Sequence, residues 1–156
     1  MSRSALGAVV LVGVAVKWGT FTSTIYPYTI SQPSTFTHQP GTLRGLPADF
    51  FFPYGLGSFT TNVNVTAERG NHVAHDLGVF ERDGGKKVKH VGWLRVMGHN
   101  LRLNRTNHHG LAGTWVEEQV TFSAGGYTWQ LTASYDPRYK SLLPTMIRML
   151  GSFKLH

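Results

Sequence analysis

Alternation of apolar and polar positions predicts several β-strands. Residues 58–68 (SFTTNVNVTAE) and 87–97 (KVKHVGWLRVM) follow a period of two, which is typical of half-buried strands. Residues 114–122 and 127–135 do the same on either side of Ser123-Ala124-Gly125-Gly126, a sequence suited to a tight turn. The pattern therefore predicts a β-hairpin over residues 114–135.

A helical period occurs in two stretches. In residues 72–82 (HVAHDLGVFER), the apolar residues Val73, Leu77 and Phe80 fall at i, i+4 and i+7. Near the carboxyl end, Asp136-Pro137 suits an N-cap followed by proline in the first turn, and residues 138–150 are predicted to be helical. Pro144 lies inside this second stretch and is expected to kink or restart the helix.

The remaining segments are expected to be short strands and loops. Residues 26–30 and 50–53 are predicted as strands, whereas residues 34–49 are rich in Ser, Thr, Pro and Gly and are predicted as a loop. Residues 104–113 (NRTNHHGLAG) are predicted as a second, polar loop. Together these elements predict an α+β fold, an antiparallel sheet with helices packed on it.

The longest apolar run lies next to the amino terminus, at residues 5–16 (ALGAVVLVGVAV). Its length fits a cleaved export signal, although no clear cleavage pattern follows it, and it also permits a buried strand. If Trp18 lies at the membrane interface, the segment is just long enough to cross a bilayer as an uncleaved anchor, and this is the interpretation that we adopt. The predicted anchor residues are Ala5, Leu6, Val9, Val10, Leu11, Val12, Val14, Val16 and Trp18.

Composition narrows the class of partner. The 156 residues include no cysteine, which excludes disulfides, thiol nucleophiles and Cys-ligated metals. The net charge of +7 favours an acidic protein face or anionic lipid. No zinc-finger spacing, RNP-like motif or long basic arm is present, so we expect no nucleic-acid partner.

Histidines and carboxylates offer the main candidates for chemistry. His72 and His75 lie three residues apart on the first predicted helix, beside Asp76, so a shared metal is conceivable. The adjacent carboxylates Glu117 and Glu118 are expected to point to opposite faces of a strand, where they cannot act as a pair. No nucleophile elbow, P-loop or dinucleotide fingerprint is present. We therefore expect no catalytic, cofactor-binding or metal-binding residues, and no enzyme.

Exposed aromatic and histidine side chains are the predicted partner-binding residues. Tyr26 and Tyr28 closely follow Trp18, and His108-His109 stands in the predicted polar loop. Aromatic residues are enriched in protein interfaces, although ordinary strand packing explains the two tyrosines equally well.

Short segments of the chain form three blocks: residues 28–36, residues 49–53 with 61–65, and residues 126–132 followed by 143–153. The order and spacing of these blocks resemble those of the PsbP-like (Mog/PsbP) family of α/β/α sandwiches, over about residues 26–155. This resemblance implies a non-enzymatic module that presents a surface to a larger partner, as PsbP does on the lumenal side of photosystem II. Some members are lipoproteins, but no cysteine follows the apolar run here, so a peptide anchor would replace the lipid.

We thus expect an anchor and juxtamembrane segment at residues 1–25 and a PsbP-like domain at residues 26–156. The expected function is that of a membrane-anchored accessory subunit that binds and stabilises a larger membrane protein complex, in photosynthetic or respiratory electron transfer. Its expected location is extracytoplasmic, on the periplasmic, lumenal or cell-surface side. The alternatives are an exported small-ligand-binding domain with residues 104–113 at its mouth, and a metal enzyme using His72, His75, His108 or His109.

Overall fold

The structure, a computed structural model, describes residues 15–56, 58–83 and 88–156. Within these ranges the chain forms ten β-strands, two α-helices and a short 3₁₀ helix. In chain order the elements are β1 (Trp18–Thr22), β2 (Tyr28–Pro33), β3 (Phe36–Leu43), β4 (Leu46–Pro53), β5 (Asn62–Arg69), α1 (Val73–Asp83), β6 (Lys89–Val96), β7 (His99–Gly110), β8 (Gly113–Ala124), β9 (Tyr127–Tyr135), the 3₁₀ helix (Pro137–Leu142), α2 (Leu143–Gly151) and β10 (Lys154–Leu155).

The strands form two antiparallel sheets. The large sheet has the order β3-β4-β5-β9-β8-β7-β6, and the small sheet has the order β1-β2-β10. Neighbours in the large sheet are consecutive in sequence except for β5 and β9, so most of the sheet is built from hairpins. Helix α1 carries the chain from β5 to β6, which is an edge strand of the large sheet.

One face of the large sheet holds the main core. Helix α2 and strand β2 of the small sheet cover this face. Aromatic rings fill the space between the layers: Tyr28 stacks on Phe153 with ring centroids 5.1 Å apart, and Trp129 meets Phe153 at 4.9 Å. All three of these side chains are buried, which makes them major contributors to the apolar area removed from water.

The opposite face of the large sheet is polar yet buried. None of its central side chains is more than 8% exposed. They are Asn62, Asn64 and Thr66 on β5, Thr128, Gln130, Thr132 and Ser134 on β9, Gln119 on β8, and Asn104 and Thr106 on β7. Helix α1 packs against β7 and β8, and its Phe80 is fully buried outside the main core. The sheet therefore lies between helices, as the α+β prediction requires.

The predicted hairpin and helices are confirmed. The hairpin is β8–β9, and the first helix begins and ends one residue later than predicted. In the second helical stretch, Asp136 accepts a hydrogen bond from the Arg138 amide at the start of the 3₁₀ helix. Pro144 then falls in the first turn of α2, so the helix restarts there because proline needs no amide partner in that turn.

Residues 34–49, predicted as a loop, instead form most of a hairpin. Strand β3 pairs with β4 from Phe36 opposite Pro53 to Leu43 opposite Leu46. Between the strands, Arg44 and Gly45 have φ angles of 51° and 78°, as in the two-residue type I′ turn that favours glycine. The prediction is wrong because β3 is an edge strand whose side chains are mostly exposed, so it lacks apolar alternation.

The prediction of a polar loop at residues 104–113 is also wrong. These residues form the end of β7 and the start of β8, joined by Leu111 and Ala112. Asn104 and Thr106 are buried on the polar face of the large sheet. The prediction failed because a strand with polar side chains on a buried face has the same composition as a loop. Residues 104–113 therefore do not provide the loop that was expected at the mouth of a ligand site.

Most predicted anchor residues lie outside the described part of the chain: Ala5, Leu6, Val9, Val10, Leu11, Val12 and Val14. Val16 is 49% exposed, and Trp18 begins β1, where it pairs with Pro33 of β2. The Arg148 guanidinium lies 4.0 Å above the Trp18 ring. In the ranges that the structure describes, no helix is long and apolar enough to cross a membrane.

Candidate functional site

The two predicted partner-binding tyrosines lie inside the fold. Tyr28 is fully buried and has no surface to offer a partner in this structure. Tyr26 is half-buried, and its hydroxyl lies 2.7 Å from the Pro47 carbonyl oxygen and 2.8 Å from that of Ala67. Both side chains therefore pack against the large sheet.

A buried carboxylate joins the small sheet to the large one. Asp49 of β4 is fully buried and accepts hydrogen bonds from the Ser23 hydroxyl at 2.5 Å and the Tyr28 hydroxyl at 2.7 Å. The Nε2 atom of His38 lies 2.7 Å from its other oxygen. Because Ser23 donates to the carboxylate and not to the imidazole, this cluster lacks the serine–histidine relay of a hydrolase. We interpret it as structural.

His108 and His109 lie on opposite faces of β7. The His108 ring stacks on Trp115 at 4.9 Å, and its Nε2 lies 3.1 Å from a carboxylate oxygen of Glu117. The exposed His109 lies beside Thr114, with Nδ1 3.1 Å from the hydroxyl oxygen. The structure therefore separates the two histidines, and only His109 is freely accessible.

The expectation that Glu117 and Glu118 point to opposite faces is confirmed. Glu117 lies beside His108, whereas Glu118 is buried and accepts two hydrogen bonds from the Arg105 guanidinium, at 2.9 and 2.5 Å. Hydrogen bonding to Glu118 raises the pKa of Arg105. Burial, followed by the negative charge of Glu118, raises the pKa of Tyr135 on the same side of the sheet.

His72 and His75 do not pair as the helical spacing predicts. His72 precedes α1, and its Nε2 lies 2.9 Å from the Arg69 carbonyl oxygen. His75 instead meets the next residue, Asp76, and Glu68 of β5 approaches both of them. One ligand atom from each of these three residues lies within 4.8 Å of the others. Burial, followed by the nearby carboxyl group of Asp76, raises the pKa of Glu68.

The edge of the large sheet exposes a tryptophan. On β6, Leu94 and Val96 are buried in the main core. Because side chains alternate along a strand, Trp93 and Arg95 project from the opposite face. Trp93 is 66% exposed and Arg95 is also exposed.

Basic side chains surround this tryptophan. Arg102 of β7 lies directly opposite Trp93 in the strand register, and the His90 ring meets the Trp93 ring edge-on at 5.1 Å. All four side chains are exposed, and neither β6 nor β7 contains an acidic residue. The name basic strip is used below for His90, Trp93, Arg95 and Arg102.

Trp93 and Glu68 are candidates that the sequence pattern indicates only indirectly. Side chains alternate along a strand, so Trp93 faces the same side of β6 as Arg95, away from the apolar Leu94 and Val96. The irregular pairing between His90 and Gly92 interrupts this alternation earlier in the strand, so the sequence pattern alone does not clearly show which side chains face outward. Glu68 ends the polar face of β5 shortly before α1, but only the fold shows that the intervening turn brings it to Asp76.

Comparisons with known proteins identify the fold. No family model matches the sequence, and no curated protein matches it. The solution structure of cyanobacterial PsbP (CyanoP) from Synechocystis sp. PCC 6803 is similar with a TM-score of 0.55 at 14% identity, over 97% of this chain and 99% of that chain.

A crystal structure from Bacteroides thetaiotaomicron is similar with a TM-score of 0.56 at 12% identity. The match covers 88% of this chain but only 48% of the Bacteroides chain, so the present chain spans about half of that protein's length. The end-to-end match with CyanoP agrees with the order of motifs in the sequence. The chain has a PsbP-like fold.

Proposed function

We propose that this protein is a non-enzymatic accessory protein that binds and stabilises a larger membrane protein complex through the basic strip. The observation that carries the proposal is the exposure of Trp93 among basic side chains on a sheet edge. The PsbP-like fold supports it, because PsbP itself is an extrinsic subunit of a large membrane complex.

The composition of the strip suits a protein interface. Tryptophan and arginine are the residues most enriched among interface positions that dominate binding energy. An aromatic side chain that is exposed in the free protein gains favourable free energy when a partner covers it. The surrounding arginines and His90 favour a partner with an acidic surface, which also accelerates encounter at low salt.

The shape of the edge favours contact through side chains. A free sheet edge offers unpaired backbone groups to another strand, and natural proteins commonly block such pairing with charges and bulges. Strand β6 has both features, since its register is irregular between His90 and Gly92 and it carries Lys89 and Arg95. A partner is therefore expected to bind the outward face of β6 and β7, and not to extend the sheet.

The proposed location is extracytoplasmic, next to a membrane. The apolar segment at residues 5–16 supports a tether, and Trp18 follows it closely in sequence. By analogy with PsbP, the proposed complex is one of photosynthetic or respiratory electron transfer.

Site-specific crosslinking tests the proposed surface. Trp93 is replaced by the photoreactive residue benzoylphenylalanine in the full chain, within the cells that make the protein. The matched control carries the same residue at Tyr54, which is 84% exposed and lies at the end of the other half of the sheet. We expect a crosslinked protein adduct from position 93 and none from position 54. Adducts from position 54 alone, or from neither position, would contradict the assignment.

A further inference from the structure

Three potential metal ligands converge where β5 leads into α1. Glu68 lies near the end of β5, and His75 and Asp76 lie in the first turn of α1. One ligand atom from each lies within 4.8 Å of the others. The set combines one imidazole with two carboxylates, which is a donor set that proteins use for zinc and related ions.

The backbone between these ligands is fixed by hydrogen bonds. The Thr128 hydroxyl accepts a hydrogen bond from the His72 amide at 2.7 Å and donates one to the Gly70 carbonyl oxygen, also at 2.7 Å. The Gly70 amide in turn donates to the Gly126 carbonyl oxygen at 2.9 Å. The turn is thus tied to β9, so the end of β5 and the start of α1 are held beside each other before any ion binds.

Asp76 provides an independent sign that a ligand belongs here. Its side chain is only 6% exposed. Its Oδ1 lies 3.2 Å from the Nδ1 of His75, but its buried Oδ2 has no hydrogen-bond partner among the residues that the structure describes. A buried carboxylate oxygen without a partner is costly, and most such atoms in proteins are paired with a donor or an ion.

The position of the two carboxyl groups also favours a cation at this point. One oxygen of Glu68 and one oxygen of Asp76 lie within 4.8 Å of each other, and the ligand nitrogen of His75 lies within the same distance of both. A divalent ion that contacts both carboxyl groups offsets the repulsion between two negative charges at this distance.

We propose that Glu68, His75 and Asp76 bind one divalent transition-metal ion of the zinc class. The 3.2 Å between His75 Nδ1 and Asp76 Oδ1 is close to the roughly 3.3 Å that separates two ligands on a tetrahedral zinc ion. Asp76 is the buried ligand, whereas His75 and Glu68 are less buried and can adjust. The imidazole favours zinc over calcium or magnesium, which prefer oxygen ligands.

The metal site is separate from the proposed function and does not depend on it. The three ligands belong to β5 and α1, whereas the basic strip belongs to β6 and β7. The site departs from the sequence-based expectation that the chain has no metal ligands. That expectation considered His72 with His75, a pair the structure does not form, and could not include Glu68.

Titration with metal alone tests the proposal. The full chain is purified without a histidine tag, and Zn²⁺ binding is measured by calorimetry, with Co²⁺ absorption as a report of ligand geometry. The variants are His75→Gln and Glu68→Gln, both changed at side chains that are not buried, and the matched control is His109→Gln at an exposed histidine. Thermal melting of each metal-free variant verifies that it is folded.

We expect the wild-type chain to bind one Zn²⁺. The affinity for Zn²⁺ should fall at least about tenfold in His75→Gln and in Glu68→Gln, and it should be unchanged in His109→Gln. The tetrahedral Co²⁺ spectrum should be lost in the same two variants. Absence of stoichiometric binding by the wild-type chain would overturn the proposal. Equal binding by the wild type and His75→Gln would also overturn it, because the metal would then sit on other histidines.

Discussion

At the scale of single residues, Asp49 shows how one buried charge links two sheets. It accepts hydrogen bonds from Ser23, which follows β1, and from Tyr28 of β2, and it contacts His38 of β3. Hydrogen bonds to a charged group are stronger than those between neutral groups, and their loss leaves buried donors unsatisfied. The attachment of the small sheet is therefore expected to depend on this carboxylate.

Replacing Asp49 with asparagine should lower the free energy of unfolding by about 2–4 kcal/mol. The change replaces the carboxylate that accepts hydrogen bonds from Ser23 and Tyr28 with a neutral amide, whose oxygen is a weaker acceptor. Urea denaturation measures the effect. The matched control is Asp136→Asn, at a capping position where asparagine serves as well as aspartate and where the ion pair lost, with Arg138, is solvent-exposed, so a much smaller loss than for Asp49→Asn is expected. Equal losses in the two variants would show that Asp49 has no special role.

Tyr28 should make stability depend on alkaline pH. Burial, together with the hydrogen bond and charge of Asp49, raises the pKa of Tyr28 far above its ordinary value. Above about pH 10 the tyrosine ionises in the unfolded chain but stays protonated in the folded one. The unfolded state then binds fewer protons, so the free energy of unfolding falls as the pH rises.

The slope attributable to Tyr28 should approach about 1.4 kcal/mol per pH unit. Urea denaturation from pH 9 to pH 11 should therefore show a shallower decline in Tyr28→Phe than in the wild type. Tyr135, whose pKa is also raised, is present in both proteins and cancels in the comparison. Identical slopes would mean that Tyr28 ionises as readily in the folded state as in the unfolded one.

For Tyr28 and Glu68, the sequence predicts the secondary-structure element in which the residue lies better than it predicts which residues its side chain contacts. Tyr28 stands out as an aromatic residue in a strand, but its two possible environments, a core and an interface, have the same local pattern. The choice depends on Asp49, which is 21 residues away in sequence and reaches Tyr28 only through the packing of one sheet on the other. For the same reason Glu68 cannot be assigned to Asp76 from spacing alone.

At the scale of secondary-structure elements, α1 covers a sheet face that is unusually polar for a buried surface. Among the α1 side chains that the structure describes, Asp76 and Phe80 are buried and the rest are partly or fully exposed. Phe80 is therefore the main apolar contact between the helix and the sheet. The helix should open more easily than the strands beneath it.

Truncation by Phe80→Ala should release α1 selectively. The loss of a buried aromatic side chain costs about 3–5 kcal/mol. Here we expect this cost to lower the free energy of local opening of residues 73–83. Amide hydrogen exchange should accelerate in α1 while β5 and β9 remain protected. The control is Phe59→Ala, at a ring that is 86% exposed. Faster exchange in α1 and β9 alike would show that the helix unfolds only together with the sheet.

The sequence predicts those elements whose apolar residues alternate or recur with a helical period. It does not predict strands whose residues are mostly polar. The β8–β9 hairpin and α1 have clear patterns with glycine turns or regular apolar spacing, and the restart at Pro144 follows from proline geometry. Strands β3 and β7 escape prediction for different reasons. The side chains of β3 are mostly exposed at an edge, whereas β7 places polar side chains on a face that is buried.

At the scale of the whole molecule, the sheet order determines which residues form a surface. Strand β6 lies at an edge because α1 carries the chain across the polar face, and this places the basic strip on an open flank. The net charge of +7 does not tell where the basic side chains gather on the surface, because their position depends on that order. The PsbP-like fold was foreseeable from the order of motifs, whereas the basic strip, which we propose as the docking surface, was not.

The native size of the protein in gentle detergent extracts of its own membranes tests the central claim most directly. The wild type is compared with a variant carrying Trp93→Ala, Arg95→Glu and Arg102→Glu, and with Tyr54→Ala as the control. We predict that the wild type and the control migrate with a large assembly, and that the strip variant migrates as a free protein. Free migration of the wild type, or equal retention of the strip variant in the assembly, would contradict the account.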